Sequence, residues 1–170
     1  MAHLPSLPQG ATLLDVFKAF PETNKPLIEF HEALMRGPSP FSEAERESIA
    51  AYVSGLNRCR YCHGVHAATA ERLGASEGVV PPRMQPVLDY ADKLTREPAA
   101  ITEADVDAVY EAGWDETALY HLVAVTALFN YMNRLVEGLG IGLDPAYVEP
   151  ASRRLAERGY LPLIDLMMSG

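Results

Sequence analysis

The sequence predicts an all-α protein, and three observations carry that prediction. Thirteen prolines are present, yet none falls in 41–80 or in 99–144. Helix interiors exclude proline, which lacks the amide hydrogen and strikes the preceding turn, so these windows should hold the main helices. Long alternating runs of β-branched residues are missing, while Ala, Leu and Glu are abundant. Helix-capping signals also recur at the edges of the apolar stretches.

Taken in order, a short helix covers 11–20 and stops at Pro21. A second starts at Pro26, a favourable first helical position, and ends near Gly37. Ser42 with Glu45 reads as a capping box for a helix running to about Gly55. Asn57 caps the next helix, which carries both cysteines and stops at Gly74. Another follows Pro86 to Arg96, and Thr102 with Asp105 opens a short one ending at Gly113. Asp115 caps the longest helix, to Gly138, and Asp144 with Pro145 opens one that ends near Gly159. The expected architecture is about seven to eight helices around a central, long apolar one. It divides into an N-terminal helical extension (1–40), a core (41–145) and a C-terminal helical segment (146–170), all within a single domain.

The stretch from Leu119 to Leu139 is apolar nearly all round, as suits a bundle core or a subunit interface. Its polar residues Asn130, Asn133, Arg134 and Glu137 form one stripe. On periodicity alone a solvated stripe is the first reading of it, and a hydrogen-bonded seam against another helix or subunit is the sharper alternative.

Composition narrows the function. The 170 residues are 48 % hydrophobic and 22 % charged, enough apolar content for a core and no sign of disorder. The net charge of −9 repels phosphate backbones and anionic lipid, so neither nucleic acid nor membrane is an expected partner. No apolar run approaches the about 18 residues of a membrane span. The start, MAHLPSLPQG, lacks the basic-then-apolar pattern of a signal peptide. The expectation is a cytoplasmic protein in which thiols are kept reduced, so two cysteines are a poor candidate for a structural disulfide.

The chemistry concentrates in Cys59-Arg60-Tyr61-Cys62-His63-Gly64-Val65-His66. Three residues apart on a helix, two Cα atoms lie about 5 Å apart, within reach of a disulfide. His66 is one turn beyond Cys62 and can take or share its proton. A place in the first helical turn lowers the pKa of Cys59, and Arg58 and Arg60 add positive charge nearby. A reversal at 55–57 could fold the preceding helix back, so that Glu47 orients His66. Rival readings use the same letters. Cys59 to His63 spells the C-x-x-C-H haem attachment pattern, which goes with export. Cys59, Cys62 and His66 with Glu47 or His63 could hold zinc, although the ligand set is stretched and no second C-x-x-C exists. The pair could also be two inert buried cysteines. Among the other histidines, His31 is not part of an H-E-x-x-H motif, His121 reads as a core histidine bonded to a carbonyl, and His3 as disordered.

The run from Ser42 to Leu73, above all Glu47 with Cys59-x-x-Cys62-x-x-x-His66, resembles the alkylhydroperoxidase D and carboxymuconolactone decarboxylase superfamily, and within it the uncharacterised peroxidase-related branch. Leu128-Phe129-Asn130-Tyr131-Met132-Asn133-Arg134-Leu135 resembles the helix that follows in that branch, so the match spans most of 40–145. The resemblance implies an alkylhydroperoxidase-D-like helical fold assembled into homo-oligomers, commonly trimers or hexamers. It implies an antioxidant peroxidase that reduces alkyl hydroperoxides through a dithiol–disulfide cycle, drawing electrons from a dithiol reductant and needing no cofactor or metal. By position, Cys62 would be the peroxidatic thiol and Cys59 the resolving one, with His66 and Glu47 as a proton relay through a water. Tyr61 departs from members that carry a histidine between the cysteines. The decarboxylase branch typically lacks the cysteine pair, which argues against lactone decarboxylation. The alternatives are a dithiol–disulfide oxidoreductase or electron carrier without peroxidase activity, and a zinc-binding or structural oligomer.

Overall fold

The computed structural model describes residues 2–76 and 78–169, and no candidate site residue lies outside them. Among these residues there are nine α-helices and no strand: α1 (Leu13–Ala19), α2 (Pro21–Arg36), α3 (Glu43–Leu56), α4 (Arg60–Arg72), α5 (Gln85–Arg96), α6 (Glu103–Glu111), α7 (Glu116–Gly138), α8 (Pro145–Arg158) and α9 (Pro162–Met168). No helix among them is long and apolar enough to cross a membrane.

Local chemistry starts most of these helices where the sequence places them. Ser42 and Glu45 close a reciprocal capping box on α3, as do Thr102 and Asp105 on α6, and the Asp115 carboxylate accepts from the Ala118 amide at 2.8 Å. Two helix starts and one additional helix differ from expectation. The second helix begins at Pro21, five residues earlier than expected, and Pro26 lies inside it. Pro26 is exposed and costs the helix only the bond to the Glu22 carbonyl, one turn from the helix start, where water can replace it. Asn57 does not cap α4. It ends α3, Arg58 turns the chain with φ at +57°, and Cys59 becomes the N-cap of α4. α9 has no counterpart in the sequence reading and raises the count above the expected seven to eight.

α3 and α4 fold back on each other as the most intimate pair of the molecule, and α7 packs against α2, α3, α4, α5 and α6. Leu122, Val125, Phe129, Met132 and Val136 of α7 are buried, but Tyr120 and Tyr131 lie on an exposed face, so α7 is not enclosed all round. α1 and α2 pack on α9, and α8 packs on α4, so both chain ends close over the α3–α4 pair. His3, expected to be disordered, donates from Nδ1 to the Gly138 carbonyl at the end of α7.

The polar stripe of α7 divides. Arg134 and Glu137 are exposed, whereas Asn133 is buried and Asn130 half-buried. The Asn57 amide donates to Asn130 Oδ1 at 3.1 Å and to Asn133 Oδ1 at 2.9 Å, and Asn133 donates to Ser54 Oγ at 2.9 Å. The seam reading therefore holds for the half facing α3, and it fixes the turn that delivers Cys59. Asn57→Ala would leave a buried carbonyl oxygen of Asn133 without its donor, at a cost of about 1–3 kcal/mol. Urea unfolding should show that loss; a change below about 0.5 kcal/mol, within the range of ordinary surface substitutions, would mean that water replaces the seam.

Candidate active site

Glu47 is the centre of the site. It points inward from α3 with no exposed surface, and its carboxylate is met from three directions. His66 Nδ1 of α4 lies 2.6 Å from Oε2. Arg36 Nη2, in the last turn of α2, donates to Oε1 at 2.7 Å, and the Tyr160 hydroxyl donates to the same oxygen at 2.9 Å. Burial alone pushes the Glu47 carboxyl up, but the charges and hydrogen bonds of His66 and Arg36 more than reverse this and hold it below the ordinary carboxylate value. An ionised carboxylate only accepts hydrogen bonds, so His66 Nδ1 is the donor in this pair, and Nε2 is the ring nitrogen that Glu47 does not engage.

The partners of Glu47 are themselves held. Arg36 Nη2 also donates to the Leu155 carbonyl of α8 at 3.1 Å. The Tyr160 amide donates to Glu32 Oε2 of α2 at 2.6 Å, directly after Gly159, whose φ is +67°. A Cβ on Gly159 would come within 2.6 Å of that carboxylate, so both the backbone angle and the close approach call for glycine here. Phe129 of α7 sets its ring edge-on to His66, with centroids 4.5 Å apart.

Cys62 and His66 line one cavity of about 60 Å3, room for a few water molecules, together with Tyr61, His31, Tyr160 and Arg154 and an apolar wall from α1, α2 and α7. No direct hydrogen bond joins His66 to Cys62 among the described residues, and both border the same cavity. Cys59 does not line the cavity. Both cysteines are reduced and buried, Cys59 completely and Cys62 at 2 % exposure. Cys59 is the N-cap of α4, one residue before the first turn in which the sequence reading placed it. The Cys62 thiol donates toward Cys59, which holds Cys59 below the usual cysteine range against the effect of burial; the Cys62 amide also faces this sulfur, without closing a capping hydrogen bond. Cys62, as the donor, buried and beside the Cys59 charge, is pushed well up. Arg58 and Arg60 are exposed, and the charge that bears on the pair is that of Glu137.

The rival ligand sets do not assemble. His63 turns away from the pair and donates to the Ala51 carbonyl at 2.9 Å. No group of three or more His, Cys, Asp or Glu side chains converges on a metal-sized point among the described residues. His121, expected to bond a carbonyl, has its Nδ1 buried without a hydrogen-bond partner among those residues. Tyr61 stacks on Tyr147 with centroids 5.7 Å apart, and burial keeps its hydroxyl protonated.

Three residues of the site were not found from sequence: Arg36, Tyr160 and His31. His31 donates from Nδ1 to the Leu27 carbonyl at 2.8 Å and tilts against Tyr160, 5.3 Å between centroids. Burial pushes its pKa down to about 4, so the ring is neutral near pH 7 and its Nε2 is an acceptor in the site.

This is an all-helical protein whose site couples a helix-borne cysteine pair to a buried glutamate–histidine pair. The sequence model of the carboxymuconolactone decarboxylase family matches residues 21–80, the stretch that holds Glu47, Cys59, Cys62 and His66. A solved structure from Silicibacter sp. TM1040, described as an uncharacterized peroxidase-related protein, is similar with a TM-score of 0.70 at 30 % identity, over 80 % of this chain and 78 % of that one. Another, from Ralstonia eutropha JMP134 and described as an alkylhydroperoxidase AhpD core, uncharacterized peroxidase-related protein, gives 0.69 at 26 % identity over 78 % and 76 %. No curated protein matches. The chain belongs to the alkylhydroperoxidase D and carboxymuconolactone decarboxylase superfamily, in its peroxidase-related branch.

The buried groups make the fold acid-sensitive. His31 and Glu47 both have folded pKa values below their unfolded ones, so the unfolded chain binds more protons and stability falls as pH falls. For His31 the loss runs from 6.5 down to about 4 and is bounded by roughly 3 kcal/mol; Glu47 adds to it below 4.5. Urea midpoints measured across this range should fall steeply for the wild type and less steeply for His31→Phe. Equal slopes would mean that His31 is protonated without penalty.

Proposed function

We propose that this chain is a thiol-dependent peroxidase that reduces organic hydroperoxides, with Cys62 as peroxidatic thiol, Cys59 as resolving thiol, and Glu47–His66 as the proton relay. One observation carries the reading: Cys62 shares its cavity with a histidine whose far nitrogen is locked by a buried, ionised glutamate. Peroxide chemistry needs a base that removes the thiol proton and then returns it to the departing oxygen. His66 Nε2 is the free nitrogen for both tasks, and Glu47 stabilises the imidazolium between them.

The Cys62 proton passes through the bound peroxide or a water to His66 Nε2. The Cys62 thiolate bonds to the terminal peroxide oxygen, the O–O bond breaks, and the alkoxide takes the proton from His66 and leaves as alcohol. Cys62 is then a sulfenic acid. Cys59, the more acidic thiol, attacks that sulfur; the S–S bond forms and hydroxide leaves as water with the remaining thiol proton. Two electrons and two protons have moved from the dithiol to the peroxide, and an external dithiol must return them. In this scheme the acidity of Cys59 serves resolution and the position of Cys62 serves attack.

Mass spectrometry of the reduced protein after one equivalent of tert-butyl hydroperoxide should show loss of two hydrogens and a Cys59–Cys62 disulfide. Cys59→Ser should stop at the Cys62 sulfenic acid, and Cys62→Ser should form none. Glu47→Gln keeps the shape but not the charge, and should slow the first step by about a hundred-fold, the range of general acid–base catalysis. His66→Ala should be slowest below neutral pH, where the unaided thiol stays protonated. Sulfenate trapped on Cys59 of the Cys62→Ser protein at the wild-type rate would reverse the two roles; an inert dithiol would end the peroxidase reading.

A further inference from the structure

The relay accounts for one end of the cavity; Arg154 of α8 stands at its wall unaccounted for. It is half-buried, and its Nε is buried with no hydrogen-bond partner among the described residues. Its polar contact there is a long one, 3.4 Å from Nη2 to the Tyr147 hydroxyl. Arg36 and Arg46 also have a buried Nε without a hydrogen bond, but their terminal nitrogens are well engaged, Arg36 Nη2 by Glu47 at 2.7 Å and Arg46 Nη1 by the Leu34 and Gly37 carbonyls at 2.8 Å. The neighbouring Arg153 pairs with Glu149. Arg154 has no carboxylate partner among the described residues, although the chain has 23 acidic residues against 14 basic ones. An arginine at a cavity wall without a counter-charge is open to a bound anion, which its guanidinium can hold through charge-assisted hydrogen bonds.

Arg154 is also the only Arg or Lys among the residues that line the cavity, whose remaining wall is mostly apolar. Tyr61 and Tyr147 stack beside it, so the guanidinium, two phenol groups and the Cys62 thiol all border one small space. The net charge of −9 opposes anions over the surface as a whole, which leaves an unpaired cation as the feature that could select one.

We propose that Arg154 anchors an anionic group of the substrate, and that the site takes organic hydroperoxides bearing a carboxylate. This rests on the peroxidase reading above and names its substrate class. The carboxylate pairs with the guanidinium, the carbon chain lies on the apolar wall, and the peroxide end reaches Cys62 and His66. The mostly apolar wall between Arg154 and Cys62 suits a carbon skeleton.

The test compares β-hydroperoxyisovalerate with its primary amide, which has nearly the same shape without the charge. Cys62 oxidation in the wild type should be faster with the acid by roughly ten-fold or more, the range of a charge-assisted hydrogen-bonded pair. The acid-to-amide ratio should fall toward one in Arg154→Gln and be partly kept in Arg154→Lys. Independently of any variant, isovalerate, which has no peroxide, should slow alkylation of Cys62 by iodoacetamide in the wild-type protein, and isovaleramide should not. Oxidation of Cys62 by acid and amide at equal rates, or a ratio that survives Arg154→Gln, overturns the anchor and leaves the peroxidase reading standing. Protection by isovalerate with no oxidation by any hydroperoxide supports the anion site and overturns the peroxidase reading instead.

Discussion

A carboxylate removed from water persists in its charged form only where charges and hydrogen bonds replace its hydration. Glu47 meets that condition with donors from α2, from α4 and from the residue that follows the α8 turn. The sequence separations are 11, 19 and 113 residues, so the carboxylate ties the start of the chain, its middle and its end to one point. Removing any donor leaves a buried charge less than fully compensated, which is among the costlier defects a fold can carry. The terminal helices are for this reason part of the site. Arg36 and His31 come from the segment read as an extension, and Tyr160 comes from the segment read as the C-terminal tail.

That arrangement explains what the sequence disclosed and what it withheld. Helix starts were legible because a capping box is a contact between residues three apart: Ser42 with Glu45 and Thr102 with Asp105 need no knowledge of the rest of the fold. The stripe of Cys59, Cys62 and His66 was legible on the same ground, since helical spacing alone sets it, and Glu47 was reached by assuming one reversal. The start of α4 was misread because Asn is the better N-cap by propensity, while Arg58 adopts a left-handed conformation that the turn imposes and the residue type does not announce. Tyr160, His31 and Arg36 were invisible as site residues because their roles exist only once distant helices meet. A Gly159–Tyr160 step in sequence reads as a helix end; only the carboxylate of Glu32 beside it shows why the glycine is there and where the tyrosine must point.

The proposed cycle divides the work between the two sulfurs, because acidity and access favour different ones. Acidity favours Cys59, at the amino end of α4 and accepting from Cys62. Access favours Cys62, which lines the cavity with His66. Were a single thiol to be both acidic and cavity-facing, it would be ionised at rest and open to any electrophile that fits. In the proposed cycle the thiol that faces the cavity stays protonated until a bound molecule links it to His66, and the more acidic thiol lies behind it, next to the sulfur it would attack. A thiolate attacks disulfide or sulfenic sulfur more readily when it is already deprotonated, and a thiol of moderate acidity is close to the optimum for that step. On this argument the raised pKa of Cys62 is not a defect of the site. It makes proton transfer to His66, and so the ionised Glu47 behind that ring, the condition for attack.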